Sequence, residues 1–475
     1  MATRRTVLKL GAAAAALAVA YPMGSHLAWS AKSFEAPEGV IPAPASSPGG
    51  PVWRNWSGLQ SAMPRQIASP ASEDELAALI RNTHGSVRPV GAGHSFTALA
   101  PTDGVMIDIG RLSGLVSHDS QARTVTMGAG TRLEQASRLL DEVGLALPNL
   151  PDIAVQTLAG SFATATHGTG RDLPALHEAV LGFRLVTPQG AILDVTADSH
   201  PDLFAAGKVS LGALGVITRY TLRVTDAFAL RRRVWVDRVE NLLDQAETLS
   251  REHRNFEFYC LPHTGFAAAI AHDLFDGEPE GRAPSEDEDS LASLRQLRDM
   301  FGWSPRLRRW IAGTQIRPGM MEDYTDKSWR LLSTSRVTKF NETEYHLPHE
   351  NGLAAVREVL AILERHKDAF FPMEVRFVRG DDAWLSPFKS ASDISIAVHA
   401  ANTEDYRYLL SEIGPVFRCY GGRPHWGKLH DMNGGELSAL YPRLGDFNAL
   451  RRELDPEGKF LNPHLATLFG EEADV

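Results

Sequence analysis

Cysteine is nearly missing: Cys260 and Cys419 are the only two in 475 residues. No C-x-x-C pair exists, so a thiolate metal cage, a dithiol redox centre and a disulfide framework are excluded. Both thiols are read as buried; a single bridge between them stays open, because sequence does not set their separation. The 17 histidines form no H-x-x-x-H or H-E-x-x-H cluster, so no metal site is expected. Positive charge is also short. With 48 Lys and Arg against 58 Asp and Glu, the net charge is -10, which argues against a nucleic-acid surface. What is present is ordinary for a globular chain: 43% hydrophobic and 22% charged residues, with length for two or three domains.

The one extended apolar run is at the start. Thr3-Arg4-Arg5-Thr6 precedes an Ala-rich stretch from Gly11 to Ala20, too short for a convincing membrane span. Paired arginines before such a stretch read as a twin-arginine export signal over residues 1–31, with Ala18-Val19-Ala20 a plausible cleavage site. The expected location is periplasmic or secreted, with the twin-arginine machinery as a partner; an uncleaved anchor is the alternative. Residues 32–52, rich in Pro, Ala, Ser and Gly, read as a linker.

From 53 to 225, strands and helices alternate. Ser72 with Glu75, and Thr131 with Glu134, have capping-box spacing. Val87–Val90, Val105–Ile109, Thr124–Met127, Val180–Val186 and Gly215–Val224 read as strands, and Pro188-Gln189-Gly190 as a hairpin turn. A second region, 226–423, has strands at 256–259, 339–345 and 373–378 and a helical pattern over 352–365. The acidic stretch Asp276–Ser290 reads as a solvated loop without a partner.

Three separated blocks carry the chemistry. Gly91-Ala92-Gly93-His94-Ser95-Phe96 follows a strand, where glycines let backbone N–H groups approach a pyrophosphate. It is no nicotinamide fingerprint: Phe96 stands where a third glycine is needed, and Pro101 blocks a long helix. His167-Gly168-Thr169-Gly170 closes a run of small residues that includes Gly160, Ser161 and Thr164. The third block is Gly421-Gly422-Arg423-Pro424-His425-Trp426-Gly427-Lys428. Their order and spacing resemble the aldonolactone oxidase family of the vanillyl-alcohol-oxidase (PCMH)-type flavoproteins.

The resemblance implies an α+β fold: a two-lobed, discontinuous FAD-binding domain (53–225, rejoined by 424–475) with an inserted α+β cap at 226–423. It implies FAD held by the 91–96 turn, Gly128 and Gly130, the 160–170 segment, Val216 and Ile217 at the adenine end, and His425. It further implies a covalent bond from His94 to the flavin ring. Alternation along a strand puts Glu374 and Arg376 on one face, a pair suited to binding hydroxyls; the resemblance makes them catalytic. It adds His399, and Lys428 as the cation beside the reduced flavin. The expected substrate is a sugar lactone or polyol oxidised at a CH–OH group, with molecular oxygen or another acceptor taking the electrons. Two other readings stay open: a related flavin oxidase of a non-sugar alcohol, and a periplasmic sugar-binding protein without redox chemistry.

Overall fold

The computed structural model describes residues 20–32, 34 and 46–471. The paired arginines and most of the apolar run therefore lie outside the described residues. Residues 20–30 form a helix that docks on the helix Asp287–Phe301. Ser25 donates to the Asp299 carbonyl at 2.6 Å, and the Arg298 guanidinium lies 4.0 Å from the Trp29 ring. The end of the expected linker is also held, since Ser47 N donates to Met63 O at 2.6 Å.

The first lobe contains a three-stranded parallel sheet of Gln66–Ala68, Val105–Asp108 and Val87–Val90. A five-stranded antiparallel sheet stands beside it, ordered Ile192–Thr196, Val180–Val186, Val216–Arg223, Thr124–Gly128 and Leu115–Asp119. The helix Glu73–Asn82 begins where Ser72 Oγ accepts from Glu75 N, and three acids in its first turn suit the helix dipole. It buries Leu76, Ala77 and Ile80. The second expected capping box does not form. The helix Leu133–Glu142 has Arg132 at its N-cap, and Thr131 Oγ1 instead donates back to Gly128 O.

The cap is one antiparallel sheet. Its strand order is Gly319–Lys327, Ala229–Arg238, Phe266–Phe275, Asn255–Leu261, Met373–Arg379, Asp393–Ala401, Phe340–Pro348 and Arg423–Pro424. Gly170–Pro174 joins Met373–Arg379 in parallel and stitches the two regions together. Met373, Val375 and Phe377 enter the shared core with Val356 and Val359 of the helix His349–Leu363, which leaves Glu374 and Arg376 on the opposite face. The acidic stretch departs from expectation. It turns into the helix Asp287–Phe301, and Glu288 accepts from Val337 N, Thr338 N and Thr338 Oγ1. Cys260 is buried as expected, but Cys419 is exposed and both are free.

The chain's last part returns to the first lobe. Val87 N donates to Lys459 O, and Asn462 Nδ2 to Ala98 O and Pro101 O. Arg88 is the pin: its buried guanidinium donates to the carbonyls of Leu99, Leu211, Gly212 and Phe460. Among the described residues it has no carboxylate in hydrogen-bond reach, and burial lowers its pKa to about 9. Arg88→Met would strand four buried carbonyls, so unfolding should become easier by about 3 kcal/mol, read as a fall in the thermal midpoint of the purified protein.

Candidate active site

A cavity of about 1070 Å³ runs between the first lobe and the Glu374–Arg376 face of the cap sheet. Its floor is the turn after Val87–Val90. Gly93 adopts φ +67°, which a side chain rarely tolerates, and the turn lines the cavity from Gly91 through Ala92, His94 and Ser95 to Phe96. Among the described residues, the N–H groups of Ala92, Gly93, His94 and Ser95 find no protein acceptor. Four unspent donors on a cavity wall form a cradle for an anion. Phe96 N then ties the turn to the third block, donating to Gly427 O at 2.7 Å. The imidazole of His94 stacks on Trp56, with centroids 5.1 Å apart. Burial, then Lys428 and Arg132, lower its pKa to about 4, so it is neutral with a free lone pair.

Gly160, Thr164, His167, Val216, Ile217 and His425 also line this space. Six residues expected at the cofactor do not. Gly128 and Gly130 pack on the backbone of residues 109–112, where a Cβ would lie 2.4 Å from Leu112 O and 2.0 Å from Ile109 O. Ser161 is fully buried in the short helix Leu158–Ala163. Gly168 lies against Leu150 O, leaving no room for a side chain. Thr169 joins the lobes by donating to Phe256 O, while its own carbonyl accepts from Asn149 and Asn255. Gly170 begins the strand that pairs with the cap. These positions lie behind the cavity wall.

The four expected catalytic residues are brought together. Glu374, Arg376, His399 and Lys428 all line the cavity, and the registers of four adjacent strands place the first three. Glu374 stands opposite Ala397 and Tyr259, Arg376 opposite Ser395 and Glu257, and His399 opposite Glu342. The Arg376 guanidinium donates to Glu344 Oε1 at 2.6 Å and lies 3.5 Å from Glu374 and 3.8 Å from Asp152. Burial opposes its charge, but Glu374, Glu344 and Asp152 hold it protonated.

The surrounding carboxyls divide into two kinds. Burial would raise both Glu344 and Asp152, yet Arg376 together with His167 and His425 at Glu344, and with Glu374, Arg336 and Tyr259 at Asp152, outweighs it and both stay well below the usual carboxylate range. Glu344 Oε1 also accepts from Ser395 Oγ at 2.6 Å and faces His167 Nε2 at 3.0 Å. Burial, with Asp152 and Glu257 nearby, pushes Glu374 well above that range despite Arg376, and so favours its protonated form. Tyr259 OH reaches Glu374 Oε1 at 2.6 Å and Asp152 at 3.1 Å. The site therefore holds charged and uncharged carboxyls side by side, as a surface for binding hydroxyls while retaining a cation requires.

Lys428 forms an ion pair with Glu342 and lies 5.2 Å from the Phe96 ring centre, directly over the turn that carries His94. Its loop is fixed by Trp426, fully buried with Nε1 donating to Leu385 O. Asp381 anchors that partner loop, with its carboxylate 3.0 Å from His177. His399 Nδ1 meets the Pro372 carbonyl at 3.1 Å, which places the proton there and leaves Nε2 as the lone-pair nitrogen.

A model of the family described as D-arabinono-1,4-lactone oxidase matches residues 220–468, and one described as FAD binding domain matches residues 64–196. The chain belongs to the D-arabinono-1,4-lactone oxidase family. An L-gulono-1,4-lactone dehydrogenase of Mycobacterium tuberculosis is 34% identical over 88% of this chain and 99% of that one. L-gulonolactone oxidase of Mus musculus is 29% identical (88% and 98% covered), and an alditol oxidase of Streptomyces sp. is 30% identical (87% and 98%). A cholesterol oxidase from Brevibacterium sterolicum superposes with a TM-score of 0.70, covering 92% of this chain and all of that one. At 17% identity this shows the PCMH-type fold alone. As a member of the lactone oxidase family, the protein is an FAD-dependent oxidoreductase acting on CH–OH groups. The cavity fits FAD on its own evidence: four unspent N–H donors for a pyrophosphate, and small residues at 159, 160 and 163 beside a flat wall.

Asp152, Tyr259, Glu342, Glu344 and Arg336 were not singled out from the sequence. The strand Phe340–Pro348 mixes Asn341, Thr343 and His346 with its two glutamates, so its polarity alone does not mark Glu342 or Glu344 as site residues.

Proposed function

We propose that the substrate is a sugar lactone or an alditol, oxidised at one CH–OH carbon in the space between the His94 turn and the cap sheet. The observation that carries this is Arg376: a fully charged guanidinium with neutral Glu374 beside it, facing the same cavity as His94. Glu374 and Arg376 bind neighbouring hydroxyls and orient the reacting carbon. His399 accepts the hydroxyl proton at Nε2, while Glu342 lies 3.7 Å away to stabilise the imidazolium. Lys428 supplies positive charge where the turn and cap meet. Bound FAD supplies the two-electron acceptor. His94 would be the residue that holds the flavin covalently; its neutral, stacked imidazole beside the turn supports that reading. Oxygen or another acceptor takes the electrons afterwards. Export by the twin-arginine route, to the periplasm or beyond, is supported by Arg4-Arg5 and the Ala-rich run.

The test is anaerobic mixing of the purified flavoprotein with a panel of aldonolactones and alditols, then admission of air with peroxide detection. Bleaching of the flavin band by members of the panel is expected; a band that no sugar lactone or alditol bleaches overturns the substrate assignment. His399→Asn should slow the bleaching by about 10²-fold or more. Burial keeps His399 below its ordinary pKa, with Lys428 and Arg336 adding to that and Glu342 opposing it. The acid limb of the wild-type rate should therefore fall below pH ~6.5 and disappear in the variant. An unchanged limb would assign the proton to another group.

A further inference from the structure

The cap sheet carries one buried carboxyl that the reaction above does not use. Glu257 is 6% exposed and lines the cavity, yet it makes no hydrogen bond or ion pair among the described residues. It stands opposite Arg376 on the neighbouring strand, as Tyr259 stands opposite Glu374. Oxygens of Asp152, Glu257 and Glu374 all lie within 4.8 Å of one another. Adjacent strands are separated by about 4.8 Å, so Glu257 and Tyr259 sit a few carbon atoms of an extended polyol beyond the reacting pair. One strand further across the sheet the wall turns apolar: Ile270 stands opposite Glu257 and Ala268 opposite Tyr259, with Val234 and Val236 behind them. Glu257 is thus the last polar position before this apolar strip, past which Glu322 stands opposite Val234, and a buried carboxyl without a partner is costly unless a ligand completes it.

Building on the sugar-lactone and polyol reading, we propose that Glu257 with Asp152 and Tyr259 forms a distal hydroxyl subsite, which holds the far end of a neutral polyhydroxylated substrate and sets the chain length it accepts. Asp152 accepts from a substrate hydroxyl; Glu257 both donates to and accepts from the next. The strip of Ile270, Ala268, Val234 and Val236 directly beyond offers the next carbons of a longer chain no hydrogen-bond partner. The groups facing Glu257 are Asp152 and Arg336 from loops, Tyr259 on its own strand, Glu374 and Arg376 on one neighbouring strand, and His272 and Arg232 on the strands of the other side; Asp287 faces the cavity from the helix above. Burial and then Asp152 raise the Glu257 pKa to about 8, against Arg376, Arg232 and Arg336. Below that pH it is a neutral acid with a proton to donate. Above it, a second anion appears beside Asp152 and the donor is lost.

The experiment is steady-state and stopped-flow kinetics with glycerol, xylitol and sorbitol, alditols being stable at alkaline pH where lactones hydrolyse. Glu257→Ala should raise KM for xylitol and sorbitol about tenfold, with less change for glycerol and a smaller change in the limiting rate of flavin reduction. In the wild type, KM for xylitol should rise as pH passes upward through about 8. Glu257→Gln keeps a donor that does not titrate, so this rise should vanish. A purely structural role would shift stability without removing the limb. If wild type turns over while both variants keep its chain-length preference and pH profile, the subsite is wrong and the substrate reading survives. If none of the alditols or aldonolactones reduces the wild-type flavin, the substrate reading falls and the subsite with it.

Discussion

Arg376→Ala is expected to slow anaerobic flavin reduction at saturating substrate by about 10³-fold, with the flavin still bound. Arg376 is the only positive group in contact with Glu344, Glu374 and Asp152 together among the described residues. Its removal takes away the charge that polarises the reacting oxygen. It also leaves Glu344 with only His167 at 3.0 Å and Asp152 with only Arg336 at 3.6 Å, so both should shift toward the protonated form and the contrast between the carboxyls of the site should shrink. A fall in stability of about 3–5 kcal/mol should accompany the kinetic loss. Arg376→Lys separates the two effects. A lysine restores the charge but not the planar fork, so most of the stability should return while the rate stays about 10²-fold down. Stopped-flow reduction and thermal melts on both variants measure this directly. A lysine variant at wild-type speed would show that charge alone suffices.

His94→Ala is expected to convert a retained flavin into a released one. In the wild type, acid-denatured protein should keep its yellow chromophore through gel filtration; in the variant, the colour should elute with small molecules. The expectation rests on a neutral imidazole held flat against Trp56 and below Lys428. The native variant should still bind flavin, because the unspent N–H donors of residues 92–95 belong to the backbone and do not depend on that side chain. Free chromophore from denatured wild-type protein would remove the covalent bond from the account without moving the cavity.

Much of this was legible in the chain before any fold was known. Glu374 and Arg376 were placed on one face by strand alternation, and the glycines around His94 by the turn chemistry they permit. What escaped was whatever depended on neighbours from distant segments. Gly128 and Gly130 have the look of cofactor glycines, yet their missing side chains make room for residues 109–112. Thr131 and Glu134 have capping-box spacing, but the backbone turns one residue later and Thr131 closes its own loop instead. The acidic run at 276–290 looked solvated because its partners, Val337 and Thr338, are fifty residues away. Asp152 and Glu344 draw their meaning from Arg376 and cannot be recognised before the lobes meet.

The central claim is that flavin and substrate meet between the His94 turn and the Glu374–Arg376 face of the cap. A crystal structure of the flavoprotein soaked anaerobically with an alditol tests it most directly. The expected density has the flavin ring edge at His94 and polyol hydroxyls on Glu374 and Arg376. Polyol density elsewhere, or a ring remote from His94, would contradict it.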